Sequence, residues 1–527
     1  MKRSLLVVLF FILHFSFVIP CVAQSIEVNM GQMRKLIMAE GAITSLYVDD
    51  VDEDKLVEAG ISAMLKELDP HSTYNNAEEV KKLNEPLQGN FEGIGVQFNI
   101  AEDTLLVIQT VSGGPSQRVG ILAGDRIISV NDTAIAGVKM SREDIMKRLR
   151  GPKGTEARLG VVRRGVKEPM TFVVTRDKIP VNTLEAAYMI APKIGYIRLG
   201  SFGQTSHDEV VDAMDKLQKR GMQDLILDLQ DNGGGYLQAA VDIANEFLEA
   251  GQLIVYTEGR RVPRQEFEAP GGGRFRKGRL VVLVNEYSAS ASEIVTGAIQ
   301  DWDRGYVVGR RSFGKGLVQR PIPFPDGSMI RLTVAHYYTP SGRCVQKPYG
   351  EGTDYQKDLL NRFNKGEMSS ADSIHFPDSL KYATKVLGRT VYGGGGIMPD
   401  CFVPIDTISY TKYHRELVAK GVINQANLYF IDNYRKQWEK KYPTFAKFEK
   451  QFEVTDEMLD VVLKKAEEAK VKFDEEAYRA SLPLLRTQLK ALIARDLWEM
   501  SNYFEIINTT NESVRAALDY LNKNISL

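Results

Sequence analysis

Four short apolar runs, at residues 195–199, 225–229, 280–284 and 306–309, are each about as long as one strand. Helical patterns at 206–220, 237–249 and 291–301 are interleaved with them. A chain that alternates strand and helix in this way must build an α/β core with crossover connections, and the alternation extends from about residue 182 to 405. On its N-terminal side, residues 85–177 hold brief apolar runs at 95–98, 105–110, 126–130, 158–162 and 170–174. Gly, Pro, Asn and Asp turns separate these runs, which is the signature of a small β-module. One helix, 141–149, interrupts the module, with Ser141 and Asp144 placed to cap it.

Residues 25–83 are helical in pattern, with Leu56, Ala59, Met64 and Leu65 as apolar positions, and Leu68-Asp69-Pro70-His71-Ser72 breaks the run. Beyond residue 411 the chain is helical and charged. Leu485, Leu489, Leu492, Ile493 and Leu497 form one core stripe and Val514, Leu518 and Leu521 another. A polar insertion at 348–392 shows no strong periodicity. At 527 residues the chain exceeds a single core. The expected organisation is multidomain α/β: 1–23, 24–84, 85–177, 178–405 and 406–527.

Residues 1–23 differ in kind from the rest. Lys2 and Arg3 precede an uncharged apolar run to about Ile19, and Ala23 offers a small residue before a cut. This is the layout of a secretory signal, so the chain is expected to be exported to the periplasm or cell envelope. Membrane contact would follow only if the signal stayed uncleaved or Cys21 were lipidated, which Pro20 disfavours. With 67 basic and 68 acidic residues, the net charge of -1 gives no general attraction to nucleic acid. Past the signal only Cys344 and Cys401 remain, which admits one disulfide but neither a disulfide framework nor a zinc site.

Three segments of the α/β region carry chemistry. Leu227-Asp228-Leu229-Gln230-Asp231-Asn232-Gly233-Gly234-Gly235 runs from a strand through glycines to a helix, where backbone amides attract anions. Asn285 to Glu293 places Ser288, Ser290 and Ser292 at a second helix N-terminus. Taken alone, Ser290-x-x-Glu293 is a capping box, and capping explains both residues without catalysis. The third segment, Gly309 to Gly316, approaches a phosphate-binding loop, but Gly316 stands where a metal-binding Ser or Thr belongs and a strand pattern follows. Lys315 suits another task. Burial can lower a lysine from about 10.4 toward the 7–8 that a general base needs near neutrality. A neutral amine can then take the proton of a serine. The histidines form no recognisable triad motif.

The ordered set Ser-Ala-Ser-Ala-Ser-Glu-Ile (288–294), Phe-Gly-Lys-Gly-x-Val-Gln (313–319) and the preceding Asp-Leu-x-x-Asn-x-Gly-Gly segment resembles the carboxyl-terminal processing, or tail-specific, peptidases. The resemblance runs from Leu68 to Asp400. It implies Ser290 as nucleophile, with Ser288 and Ser292 as alternatives, Lys315 as general base and Gln319 as its support. It also implies an oxyanion hole of the Ala291 amide with Gly234 or Gly235. Gln230 and Gly233 depart from the family's arginine and proline. The β-module resembles a PDZ domain, with Gly93-Ile94-Gly95-Val96 as the loop for a terminal carboxylate, and so implies polypeptide partners with free apolar C-termini. Neither metal nor cofactor is implied, and homo-oligomerisation is left open. The competing reading is an inert scaffold that binds protein tails.

Overall fold

The computed structural model describes residues 30–101, 103–350 and 353–523. The secretory signal expected at 1–23 lies outside them. The chain divides into two compact units, residues 1–64 and 65–527. The first holds the helix Met30–Leu46 and most of the helix Glu53–Lys66. None of the described helices is long and apolar enough to cross a membrane.

The second unit is built on a six-stranded sheet in the order Leu184–Ala191, Ile194–Leu199, Asp224–Asp228, Leu280–Val284, Tyr306–Gly309, Cys401–Phe402. Its first pair is antiparallel and the rest are parallel. All five residues of Leu280–Val284 are buried, as a strand covered on both faces must be. On one face, helices Ser206–Lys219, Leu237–Asn245 and Ala291–Asp301 pack through residues such as Met214, Ile243 and Val295. On the other, Val514, Ala517 and Leu521 of the C-terminal helix Glu512–Asn522 cover Tyr196, Ile226, Val281 and Leu283.

A second, antiparallel sheet joins Thr73–Asn75, Met329–Tyr338, Leu253–Glu258 and Gln265–Glu268, with Leu317–Pro323 also paired to Met329–Tyr338. The helix Glu53–Lys66 ends just before the break expected at Leu68–Ser72; the strand Thr73–Asn75, which the helical pattern over 25–83 does not announce, follows, and then a separate helix Ala77–Leu87 with Asn76 as its cap. The insertion at 348–392 is short helical turns, the helix Asp358–Asn364 and a two-stranded ribbon, Lys381–Ala383 with Thr390–Tyr392. Cys344 and Cys401 are both free thiols.

The β-module forms a sheet in the order Val96–Ala101, Thr104–Thr110, Arg126–Val130, Glu156–Val162, Met170–Thr175, flanked by the helix Arg142–Leu149. Alternation along Thr104–Thr110 serves two contacts at once. Leu105 and Val107 enter the module's own core, while Leu106 and Ile108 meet Leu428 of the helix Val422–Lys441. Polar contacts fix the same face. Arg126 forms a two-pronged ion pair with Asp432 at 3.0 and 2.7 Å. The Gln109 amide donates to the Trp498 carbonyl at 2.7 Å.

Candidate active site

The strand Leu280–Val284 leads into the serine loop, and the helix Ala291–Asp301 starts directly after Ser290. Ser290 has φ 57° and ψ −112°, a conformation that costs a non-glycine residue about 1–3 kcal/mol and survives only where its surroundings impose it. The two neighbouring serines are committed elsewhere. Ser288 and Ser292 are fully buried, and their hydroxyls donate to the Leu229 and Asn232 carbonyls, each at 2.8 Å. Ser290 is partly exposed.

The glycine turn lies against this loop. A Cβ on Gly234 would stand 2.8 Å from Ser290 Cβ and 3.0 Å from the Ala291 nitrogen, and one on Gly235 would meet the Phe202 carbonyl at 2.1 Å. With φ of 101° and 152°, both positions require glycine. Asn232, fully buried, binds the two loops together. Its carbonyl accepts from the Ala289 N–H at 3.0 Å, and its side-chain oxygen accepts from the Gly234 N–H at 2.9 Å. Gln230, at the position of the family's arginine, turns to the C-terminal helix, and its side-chain oxygen accepts from Asn511 at 3.1 Å. Buried Asp228 accepts from the Arg198 guanidinium at 2.9 Å.

Glu293 brings the serine and lysine turns together. Its carboxylate is 1% exposed. One oxygen accepts from the Ser290 and Lys315 N–H groups, each at 2.9 Å; the other accepts from the Ser312 hydroxyl at 2.5 Å and the Gly314 N–H at 2.7 Å. Burial pushes this carboxyl above its usual range, while the four donors pull it back toward the ionised form. Of the capping box expected from Ser290 and Glu293, the Glu293 half is formed, its carboxylate accepting from the Ser290 N–H while the Glu293 N–H turns to the Ser290 carbonyl at 2.8 Å, but that carboxylate reaches well past the helix end. The structure thus shows a lysine turn anchored to the helix cap, which no spacing in the sequence announces.

Lys315 is mostly enclosed. Burial, and then the Arg331 cation, lower it to about 8, against the opposing pull of Glu293 and Asp69. After Gly316 the chain enters the strand Leu317–Pro323, not a helix, so nothing there resembles a phosphate cradle. Gln319 sits on that strand and donates to the Thr333 hydroxyl at 3.2 Å. Thr333 donates in turn to Asp69 at 3.1 Å, and Asp69 accepts from the Ser72 hydroxyl at 2.6 Å and the His71 N–H at 2.8 Å. The Leu-Asp-Pro-His-Ser segment therefore reaches the lysine strand. His71, bonded to the Tyr355 hydroxyl at 2.7 Å, is driven down to about 4 by burial and then by the Lys315 charge, and so is neutral near pH 7. Among the described residues no group of three or more His, Cys, Asp and Glu side chains is placed to hold a metal ion.

In the β-module, Gly93, Ile94, Gly95 and Val96 line a groove of about 240 Å³. Its walls are the strand Val96–Ala101 and one face of the helix Arg142–Leu149, presented by Arg142, Met146 and Leu149. The loop is pinned from behind, because the Ser116 hydroxyl donates to the Ile94 carbonyl at 2.6 Å and the Val111 N–H to the Gly95 carbonyl at 3.0 Å.

The structure thus sets a mostly enclosed lysine turn and a serine on a strained helix cap in an α/β core, and a groove on a neighbouring β-module. Family profiles cover both. The one described as Peptidase family S41 matches residues 193–356, and a PDZ domain matches 93–173. The N-terminal domain of the activating protease CtpB matches 19–79, and a family of unknown function matches 413–499. A carboxy-terminal-processing protease of Bartonella bacilliformis is 35% identical over 334 residues, covering 62% of this chain and 76% of the relative. CtpA of Bacillus subtilis is 34% identical over 325 residues, covering 62% and 69%. Among solved structures, a photosystem II D1 C-terminal processing protease has 29% identity and a TM-score of 0.34, covering 60% of this chain and 91% of its own. The chain belongs to the carboxy-terminal processing peptidases, a serine-type family with a PDZ domain.

The Glu293 carboxylate gives a first test. Glu293→Gln keeps the shape but replaces one of the two acceptor oxygens with an NH₂ group, facing N–H or O–H donors. Peptidase activity is expected to fall at least tenfold, and stability by about 1–3 kcal/mol, the usual cost of stranding buried donors. Peptide hydrolysis and urea unfolding measure the two effects. Full activity in this variant would remove Glu293 from the assembly of the site.

Proposed function

We propose that this chain is an exported serine endopeptidase that selects protein substrates by their C-terminal tails, with Ser290 as nucleophile and Lys315 as general base. The observation that carries the proposal is the single Glu293 oxygen that accepts from the backbones of both residues. Around it, Ser290 alone among the three loop serines is not fully buried, and Lys315 is mostly enclosed and lowered to about 8.

In this mechanism the neutral Lys315 amine takes the Ser290 hydroxyl proton as Oγ attacks the scissile carbonyl carbon. The resulting oxyanion is met by the Ala291 N–H at the helix N-terminus and by the glycine turn. Because the Gly234 N–H is already turned onto Asn232, the Gly235 N–H is assigned as the second donor. Collapse expels the amine half of the substrate with the proton from the Lys315 ammonium. Water, deprotonated by the same amine, then hydrolyses the acyl ester and restores Ser290. Gln319, tied through Thr333 to Asp69, supports the strand that carries Lys315. The groove lined by Gly93–Val96 holds the tail as an added strand, its carboxylate on loop amides. Export rests on the basic and apolar layout of residues 1–23.

Ser290→Ala and Lys315→Ala are each expected to abolish hydrolysis of an unfolded protein substrate without altering the circular dichroism spectrum. The double variant should lose no more than either alone, since the two act as a unit. Full activity in Lys315→Ala would sink the dyad, and retained tail binding without any hydrolysis in the wild type would favour the inert scaffold.

The pH profile follows from the lysine. Only the neutral amine accepts a proton, and its fraction grows as pH passes about 8, so kcat/KM should rise about tenfold between roughly pH 7 and 9. A flat profile across that window would exclude a base titrating there.

Tail selection is checked by comparing one substrate with a free or an amidated C-terminus. The charge-assisted bonds to a carboxylate predict a preference of about tenfold for the free form at limiting substrate. Equal rates would show that the groove does not read the terminus.

A further inference from the structure

The polar insertion at 348–392 lies directly against the lysine turn. Residues 310–316 form neither helix nor strand, so each buried backbone group there needs a partner from outside the turn. The N–H groups of Gly314 and Lys315 go to Glu293, and that of Phe313 donates to the Ser288 carbonyl at 2.9 Å. The carbonyls of Arg311 and Ser312 are both taken by one side chain of the insertion. Arg362, on the helix Asp358–Asn364 and 3% exposed, donates to them from its two terminal nitrogens at 2.6 and 3.1 Å.

The same side of this helix makes a second contact. Asp358, one turn before Arg362, holds the Lys347 ammonium at 2.9 Å. That ammonium lies 3.8 Å from the centroid of the Phe313 ring, and the Lys347 N–H donates to the Gly314 carbonyl at 2.9 Å. Residues one turn apart share a helix face. A single face therefore reaches Arg311, Ser312 and, through Lys347, Phe313 and Gly314, while Leu360 and Phe363 are left exposed.

Stability alone does not call for an arginine here. Among the described residues the Arg362 Nε makes no hydrogen bond, and the Glu367 carboxylate stands 3.8 Å from it. A charge buried in this way costs free energy that an apolar side chain of similar volume would not. What the guanidinium supplies is geometry: its planar fork fixes two successive carbonyls just ahead of Lys315, a task one ammonium cannot perform.

We propose that Arg362 is a positioning residue for the reaction, and that the insertion serves catalysis by holding in place the turn that carries Lys315. This rests on the reading of Lys315 as general base and adds what holds that base.

The test uses the full chain with the variants Arg362→Met, Arg362→Lys and Leu360→Ser, each checked by circular dichroism. The groups facing Lys315 are Glu293, Asp69 and His71 of the Leu-Asp-Pro-His-Ser segment, and Arg331 on the strand Met329–Tyr338. None of them is altered, so a move in the lysine's titration reports the turn itself. Loosening the turn admits water to the amine, and burial is the main cause of its lowered pKa. In Arg362→Met, kcat at about pH 8 is expected to fall about tenfold with KM within about twofold. The midpoint of the kcat/KM profile should move up by about one pH unit. Arg362→Lys, which keeps the charge but not the fork, should show both effects in smaller measure. Leu360→Ser, on the exposed face, should behave as wild type. A folded Arg362→Lys whose kcat and midpoint both match the wild type overturns the inference. So does a loss of kcat with the midpoint unmoved, which is what a merely structural role would give. If Arg362→Met does not fold, Arg362→Lys decides on the same two criteria. An active Lys315→Ala would bring down the reading of the lysine itself, and this inference with it.

Discussion

Most of what places the candidate site passes through one buried carboxylate. Glu293 gathers four donors from two stretches of chain: the N–H of the serine cap, and the Ser312 hydroxyl with the Gly314 and Lys315 amides of the lysine turn. A helix cap ordinarily satisfies its own first turn and nothing else. Here the cap residue's partner is turned outward, so that helix start and lysine turn share one anion. A buried charge is tolerated only when its hydrogen bonds are satisfied. Moving either turn would strand the Glu293 carboxylate, and the spacing of the two turns is held by that penalty.

The strain at Ser290 belongs to the same arrangement. Its positive φ turns the loop that follows the strand Leu280–Val284 into the helix Ala291–Asp301, while Asn232 holds the glycine turn against that loop. Ser288 and Ser292 act as struts, their hydroxyls donated to carbonyls of the neighbouring segment. The serine-rich run is therefore not redundant: two hydroxyls fix the loop, and the third is left at its tip.

Much of the architecture could be read directly from the residues. The strands Leu280–Val284 and Tyr306–Gly309 and the helix Ala291–Asp301 fall where the patterns put them, because continuous apolar runs and a 3.6-residue repeat report burial directly. The antiparallel sheet was harder to see. Met329–Tyr338 carries Arg331 and His336 and is half-buried along much of its length, so it shows neither a clean alternation nor a clean apolar run. At the site, the Ser290 and Lys315 segments stood out through resemblance, whereas the long-range duty of Glu293 was hidden behind a local one, its capping geometry. Asp69 was hidden in the same way: its part depends on Thr333, more than two hundred residues away, and no local periodicity encodes such a contact.

The closure of the sheet by the C-terminal helix has a consequence in time. Gln230, just before the glycine turn, finds its partners at Asn511 and Ser513, and the same helix covers the sheet's second face. These contacts span most of the chain, so loop-closure entropy must be overcome before they form. A chain growing from its N-terminus has already made its serine, its lysine and both glycines while that face is still bare. The segment that seals this face lies about two hundred residues beyond the serine and the lysine, so in a nascent chain the fold around the site waits until residues 512–522 have been made.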